Sequence, residues 1–223
     1  MMPEGATAKA TKPARSQKSG RPSIAEAKAL SGRILETAAE LFLEQGFKGT
    51  STDQIAEAAG VTKRTLYARY PGKAALFEAA ITNAIDARLG TLELSIPAGP
   101  DIRSRLIAIS ETLLRWLLTD RNVAMERVVS SEALHFPELA RNIHAHGFHR
   151  AAAIVEHALI DARETGEIVL DDPAFAADYF ATAIVLSPFR RAGLGFAPAE
   201  LDDAGRDRLR RAVDLFLDGC RRR

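Results

Sequence analysis

The sequence predicts an all-α protein, and three observations lead there. Its apolar content is aliphatic: hydrophobic residues make up 47% of 223 positions, while aromatics supply only 6%. Alanine and leucine cost least in a helix, whereas strands draw on β-branched and aromatic residues. Apolar residues recur at three- and four-residue steps, in segments opened by Ser, Thr or Asp in capping positions. Strand-like alternation of useful length is missing, and so is any internal repeat.

The elements follow in order. Residues 1–22 mix Lys, Arg, Pro, Gly, Ser and Thr with almost nothing to bury and are expected to be disordered in isolation. Ser23-x-x-Glu26 is a capping box that opens a first helix. Ala27, Leu30, Ile34, Ala38, Leu41 and Phe42 mark its buried face, and Gly46 is a plausible C′ residue. Thr50-x-x-Asp53 repeats the capping pattern and opens a short helix through Ala59, which Gly60 breaks. Thr62 caps a third helix, Lys63 to Tyr70, stopped by Pro71-Gly72, and a fourth runs from Lys73 to Leu89. Gly90 to Pro100 carries two prolines and two glycines and reads as a linker between units 23–89 and 101–223.

Beyond the linker, Asp101–Thr119 is amphipathic, with Leu106, Ile109, Leu113, Trp116 and Leu117 on its apolar side. Asn122–Leu134 is shorter. Pro137 suits the first turn of a long helix to Thr165, with Gly166 behind it, and Asp172-Pro173 starts another through Arg191. Ala199–Arg223 closes a set of about nine helices.

Charge is unevenly distributed. Residues 1–75 hold 12 Lys and Arg against 7 Asp and Glu, a surplus of +5; the rest hold 18 against 22, or −4. A basic front suits a polyanionic partner. The single cysteine, Cys220, excludes an intrachain disulfide. No apolar run approaches the ~20 residues that span a bilayer, and no signal-peptide pattern follows the basic N-terminus. A cytoplasmic protein without membrane contact is expected.

Short helices joined by a glycine-containing turn, over residues 50–70, have the layout of a helix-turn-helix. Ile55, Ala56, Ala59, Val61 and Leu66 supply a small core, leaving Lys63, Arg64, Thr65, Tyr67 and Arg69 on an outward, donor-rich face. Gly46-Phe47, Thr50-Ser51, Ile55-Ala56, Ala59-Gly60-Val61, Leu66-Tyr67, Tyr70, Lys73 and Leu76-Phe77 stand in one register over about 50 residues. This array closely resembles the N-terminal domain of TetR/AcrR-family regulators.

The resemblance implies roles. Thr50 and Ser51 would hold a backbone phosphate at the start of the second helix. Lys63, Arg64 and Thr65 would approach base edges, Arg64 with a bidentate reach to guanine. Tyr67 and Lys73 would each meet a phosphate. Tyr70 reads as core, with a phosphate ligand as the alternative; Arg69 is open between a DNA contact and a solvated residue. Many members carry glycine where Arg64 stands and His-Phe where Arg69-Tyr70 stand, so the operator sequence does not transfer. Ser19-Gly20-Arg21-Pro22 resembles a minor-groove hook, with a merely nonspecific basic leader as the alternative for Arg21.

For the rear, the resemblance implies a helical domain that dimerises and binds a small-molecule effector. The last two helices, with the run Phe175-Ala176-Ala177 to Ala181-Thr182-Ala183, could pair about a two-fold axis. The stretch Ser131 to Ala140 is similar to a subset of the family whose ligands are poorly predictable. Trp116, Met125, Phe148 and Phe189 are the candidate pocket residues, against ordinary core packing.

No metal or cofactor is expected. His144, His146 and His149 lack a matching Cys or carboxylate turn, and Glu132-x-x-His135 is a solitary half of a di-iron motif. No catalytic constellation is found. The expectation is a homodimeric repressor that binds a palindromic double-stranded operator and is released by an inducer. An activator of the same architecture, an all-α enzyme or a ligand carrier are the alternatives.

Overall fold

A computed structural model describes residues 23–89 and 99–220. The tail with Arg21 and nearly all of the linker lie outside the described residues. Among the described residues the secondary structure is helical throughout, without strands.

Helix α1 (Ile24–Gly49) starts on the expected capping box. The Ser23 hydroxyl accepts from the Glu26 amide at 3.2 Å, and the Glu26 carboxylate accepts from the Ser23 amide at 2.8 Å. That second bond holds the Glu26 carboxyl below its ordinary pKa. At Gly46 the backbone adopts φ 74°, a conformation that costs glycine nothing and any other residue a clash. One more turn follows before the chain becomes extended at Thr50.

Helix α2 (Thr52–Ala58) begins one residue later than the sequence suggests. Its cap is Ser51, which accepts from the Gln54 amide while Gln54 returns the bond. Thr50 is unavailable because its hydroxyl turns inward and donates toward the carbonyls of Leu41 and Gly46, at 3.1 and 2.9 Å. Gly60, at φ 65°, makes the turn to α3 (Lys63–Tyr67), capped by Thr62 as expected. Helix α3 is shorter than the sequence implies, ending in a turn through Tyr70. Helix α4 (Lys73–Leu89) returns along α1.

In the rear, Asp101 caps α5 (Ile102–Leu117) and Thr119 caps α6 (Asp120–Glu132). A long helix, α7, spans 137–164 and contains a π turn at His144–Phe148. Helix α8, 173–193, contains another at Ala181–Leu186. The 3.6-residue period gave no hint of either π turn. Helix α9 (Asp203–Gly219) starts at an Asp202 cap and packs on α5.

Two hydrophobic clusters result. The larger belongs to α5, α7, α8 and α9, around Leu106, Leu113, Val155, Leu159, Phe180 and Val213. The other joins Ile34, Phe42, Ile55, Leu66, Leu76 and Phe77 of α1–α4 with Met125, Val128, Phe136 and Leu139 from behind the linker. This second cluster therefore crosses the boundary that the sequence suggested near residues 90–100. Its centre is aromatic: Phe77 meets Phe42, Phe47 and Phe136 at centroid separations of 5.0 Å each, and Phe47 also meets Phe136 at 5.0 Å.

Candidate nucleic-acid interface and cavity

Helix α3 is held by one fully buried side chain, Leu66, 1% exposed. Everything else it carries is available outward: Lys63, Arg64 and Tyr67 are exposed and Thr65 is half-buried. The face is set by hydrogen bonds as well as packing. The Tyr67 hydroxyl lies 3.0 Å from the Thr52 hydroxyl, tying α3 to the first turn of α2 and leaving both oxygens at the surface. Thr62 and Thr65 hydroxyls pair at 2.9 Å.

Lys63 pairs with Asp53 at 2.6 Å, and that carboxylate raises the lysine's pKa. Exposed pairs of this kind are weak and exchangeable, so a phosphate or a base edge can displace Asp53. Arg64 has no such partner among the described interactions. The Arg69 guanidinium, at the surface, donates to the Ser31 hydroxyl at 2.7 Å and so links the turn after α3 to α1. Lys73 has its ammonium 4.5 Å above the Phe47 ring, a cation–π contact, and 3.5 Å from the Lys48 carbonyl oxygen.

Three sequence expectations change. The phosphate contact expected of the Thr50 hydroxyl is corrected: at 2% exposure and with two carbonyl partners, that side chain is structural. Ser51 is exposed but occupied as the α2 cap, while the Thr52 hydroxyl, which the sequence reading passed over, stands beside Tyr67. Arg69 is exposed and bonded to Ser31, a contact that the sequence reading did not foresee. Tyr70 packs against the core cluster as expected. The missed signal at Thr52 was the run Thr50-Ser51-Thr52, in which spacing alone cannot say which hydroxyl caps.

The rear contains a cavity of about 400 Å³, and Trp116, Met125, Phe148 and Phe189 all line it. Ile85 of α4 reaches it from the front. Both π turns border it, through His144, Gly147 and Phe148 on one side and Ala181, Val185 and Leu186 on the other. Such turns recur at functional sites because the widened ring re-aims side chains. Polar groups are few. The Glu126 carboxylate accepts from the Ser130 hydroxyl at 3.0 Å and faces the Arg190 guanidinium at 3.5 Å. Asn122 is 7% exposed and donates its amide to the Trp116 carbonyl. None of these four polar residues was singled out from the sequence. A second hollow of about 590 Å³, between α5, α8 and α9, has a more charged rim that includes Arg191, Asp207 and Arg208.

Among the described residues no group of three His, Cys, Asp or Glu side chains is placed to hold a metal ion. His144 instead stacks on Phe148, with centroids 5.0 Å apart and planes 9° from parallel. Glu132 and His135 form a local pair at 3.3 Å. No helix among the described residues is long and apolar enough to cross a membrane.

Comparison with known proteins places both halves. Residues 34–80 match the profile of bacterial regulatory proteins of the tetR family, and residues 104–219 match that of the AefR-like transcriptional repressor C-terminal domain. The Bacillus subtilis (strain 168) HTH-type regulator YezE is 26% identical over 191 residues, covering 82% of this chain and 92% of YezE. The HTH-type transcriptional activator FasR of Mycolicibacterium smegmatis is 29% identical over 89 residues, so the match spans only 41% of FasR and 40% of this chain. Among solved structures, the flavonoid-responsive regulator FrrA is 30% identical, with a TM-score of 0.66 over 88% of this chain and 99% of FrrA. A TetR regulator from Agrobacterium tumefaciens gives a TM-score of 0.69 at 25% identity, over 85% of this chain and 93% of that one.

Proposed function

The chain belongs to the TetR family of DNA-binding transcriptional regulators, and from that premise we propose that it is a homodimeric repressor released from a palindromic operator by a small molecule. The observation that carries the reading is the outward face of α3, where Lys63, Arg64 and Tyr67 are exposed over a single buried anchor, Leu66. Arg64 and Lys63 enter the major groove and meet base edges, with Thr65 beside them. Tyr67, Thr52 and Lys73 grip phosphates around them. Units 23–89 and 101–223 act as reading head and regulatory body. A regulator that reads DNA in this way works in the cytoplasm of its cell.

Dimerisation through α8 and α9 suits the apolar side chains that these helices leave in solvent. Phe175 and Tyr179, one turn apart on α8, are 68% and 58% exposed, and Leu215 on α9 is 76% exposed. Monomeric surfaces rarely leave such groups together. Two copies would set two α3 helices one DNA turn apart, about 34 Å.

Repression is favoured over activation because the rear-domain match, at 104–219, is to a repressor's C-terminal domain. The match to the activator FasR covers 89 residues only. An effector is expected because the cavity has the size and mostly apolar lining of small-molecule sites; FrrA is named for a small-molecule response. Met125 serves both regions: it lines the cavity and belongs to the cluster that holds the head. With Ile85 on α4 also at the cavity, a ligand that fits only one placement of α4 and α6 shifts the head with it. DNA and ligand then weaken each other reciprocally.

Selection of bound duplexes from a random pool at two salt concentrations tests the reading. A palindromic consensus whose affinity falls steeply with salt is expected. Recovery of no consensus at either salt refutes it.

A further inference from the structure

The helix-turn-helix surface carries acid as well as cations. From Thr50 to Lys73 the chain has two acidic residues, Asp53 and Glu57, and of these Asp53 is bonded to a side chain of α3. Its Oδ2 lies 2.6 Å from the Lys63 ammonium, with both side chains more than half exposed. Thr52, its neighbour on α2, meets the Tyr67 hydroxyl at 3.0 Å. Lys63 and Tyr67 are four residues apart and so share one side of α3. The first turn of α2 therefore borders the outward side of α3. Starting α2 is the task of Ser51, its cap, so Asp53 is not needed for that.

A carboxylate among phosphates is unfavourable unless a cation or a donor stays with it. If Lys63 leaves for a phosphate, Asp53 faces the polyanion without its cation. If the two stay together, they present a donor and an acceptor side by side, and a base edge with the complementary order satisfies both. In the major groove a G·C pair has that order: guanine O6 accepts and cytosine N4 donates. Those two atoms are joined by the base-pairing hydrogen bond, about 2.9 Å long, close to the 2.6 Å between Lys63 and Asp53. A C·G pair reverses the order, setting its amino group against the ammonium and its carbonyl against the carboxylate. T·A keeps the order through O4 and N6 but lacks the second acceptor, N7, that guanine offers the lysine.

We propose that Asp53 is a specificity-determining residue: with Lys63 it reads one G·C base pair in each half-site, Lys63 donating to guanine O6 and Asp53 accepting from cytosine N4. The proposal rests on the reading of α3 as the helix that enters the major groove, and it adds a residue of α2 to the base contacts. The Lys63–Asp53 pair is neutral as a unit, so a lone phosphate gains less from it than the matching base pair does.

Duplexes selected from a random pool by the full-length protein are bound in competition by that protein, by Asp53→Ala, by Lys63→Ala and by the double variant. Both single variants should lose preference at the same base pair, by about tenfold, and the double variant should lose no more than either. If Asp53→Ala folds poorly, the unaltered protein is tested on operators carrying N4-methylcytosine in place of each cytosine in turn. The methyl group blocks the outward N4–H and leaves pairing with guanine intact. A loss of about tenfold is expected at one position per half-site, and no loss at any position overturns the proposal. A uniform gain of affinity for all sequences in Asp53→Ala overturns it too, because Asp53 would then only repel phosphate. Loss of preference at different base pairs in the two single variants overturns the joint reading. A consensus that Asp53→Ala leaves untouched refutes this proposal alone, whereas no consensus from the unaltered protein refutes the DNA reading beneath it as well.

Discussion

Replacing Phe136 by alanine should separate the reading head from the body of the protein. Phe136 precedes Pro137 at the start of α7, is 9% exposed, and has ring centroids 5.0 Å from those of Phe47 and Phe77. Phe→Ala in a core costs about 3–5 kcal/mol, transfer and cavity together. Partial exposure favours the lower end, about 3 kcal/mol, and the two ring contacts are included in that figure. For a chain of this length the midpoint of thermal unfolding should fall by about 6–12 °C, at about 2–4 °C per kcal/mol. More telling is a change in cooperativity. Trp116 lies in the body, far along the chain from α3, so it senses duplex DNA only if head and body unfold together. In the unaltered protein, duplex DNA at low salt should raise the urea midpoint seen by Trp116 fluorescence. In Phe136→Ala that rise should largely vanish, while DNA affinity itself stays within several-fold. A loss below about 1 kcal/mol, or an undiminished DNA effect on Trp116, would refute the idea that Phe136 is the joint.

Further outcomes follow from the same contacts. Arg64→Ala should relax preference at one base pair per half-site, by about 1–3 kcal/mol in competition binding, whereas Lys73→Ala should weaken all sequences alike and flatten the salt dependence. Thr50→Val should lower stability by about 1–2 kcal/mol, since it leaves two carbonyls short of a donor. Its salt dependence of DNA binding should stay unchanged; a shallower slope would restore Thr50 as a phosphate ligand. Acid should loosen the caps. The Ser104 amide lowers the Asp101 pKa below its ordinary 3.8, so the carboxylate's contribution is complete above that value and is lost as pH falls through the depressed one. Asp101→Asn should therefore flatten the acid limb of a circular-dichroism titration below about pH 4; an unchanged limb would count against the cap.

The sequence by itself determined the helical class, most helix starts and which side chains of α3 face outward. These are local matters. A capping box, a glycine at positive φ and a three-to-four stripe act within a few residues, so Ser23, Gly46, Gly60, Thr62 and Leu66 could be read directly. Even the four apolar side chains chosen for a pocket converge on one cavity. What the sequence misjudged depends on partners distant in the chain. Thr50 and Ser51 are equally good caps on paper, and only the position of the Leu41 and Gly46 carbonyls decides which hydroxyl turns inward. Arg69 is claimed by Ser31, 38 residues away. The π turns at His144–Phe148 and Ala181–Leu186 leave the apolar pattern intact; both lie where α7 and α8 border the cavity. Phe136 is an ordinary aromatic in sequence and joins the cluster that crosses the linker only when α1, α4 and the start of α7 meet. Local hydrogen bonding wrote the elements, and long-range packing chose which of their side chains remain free to act.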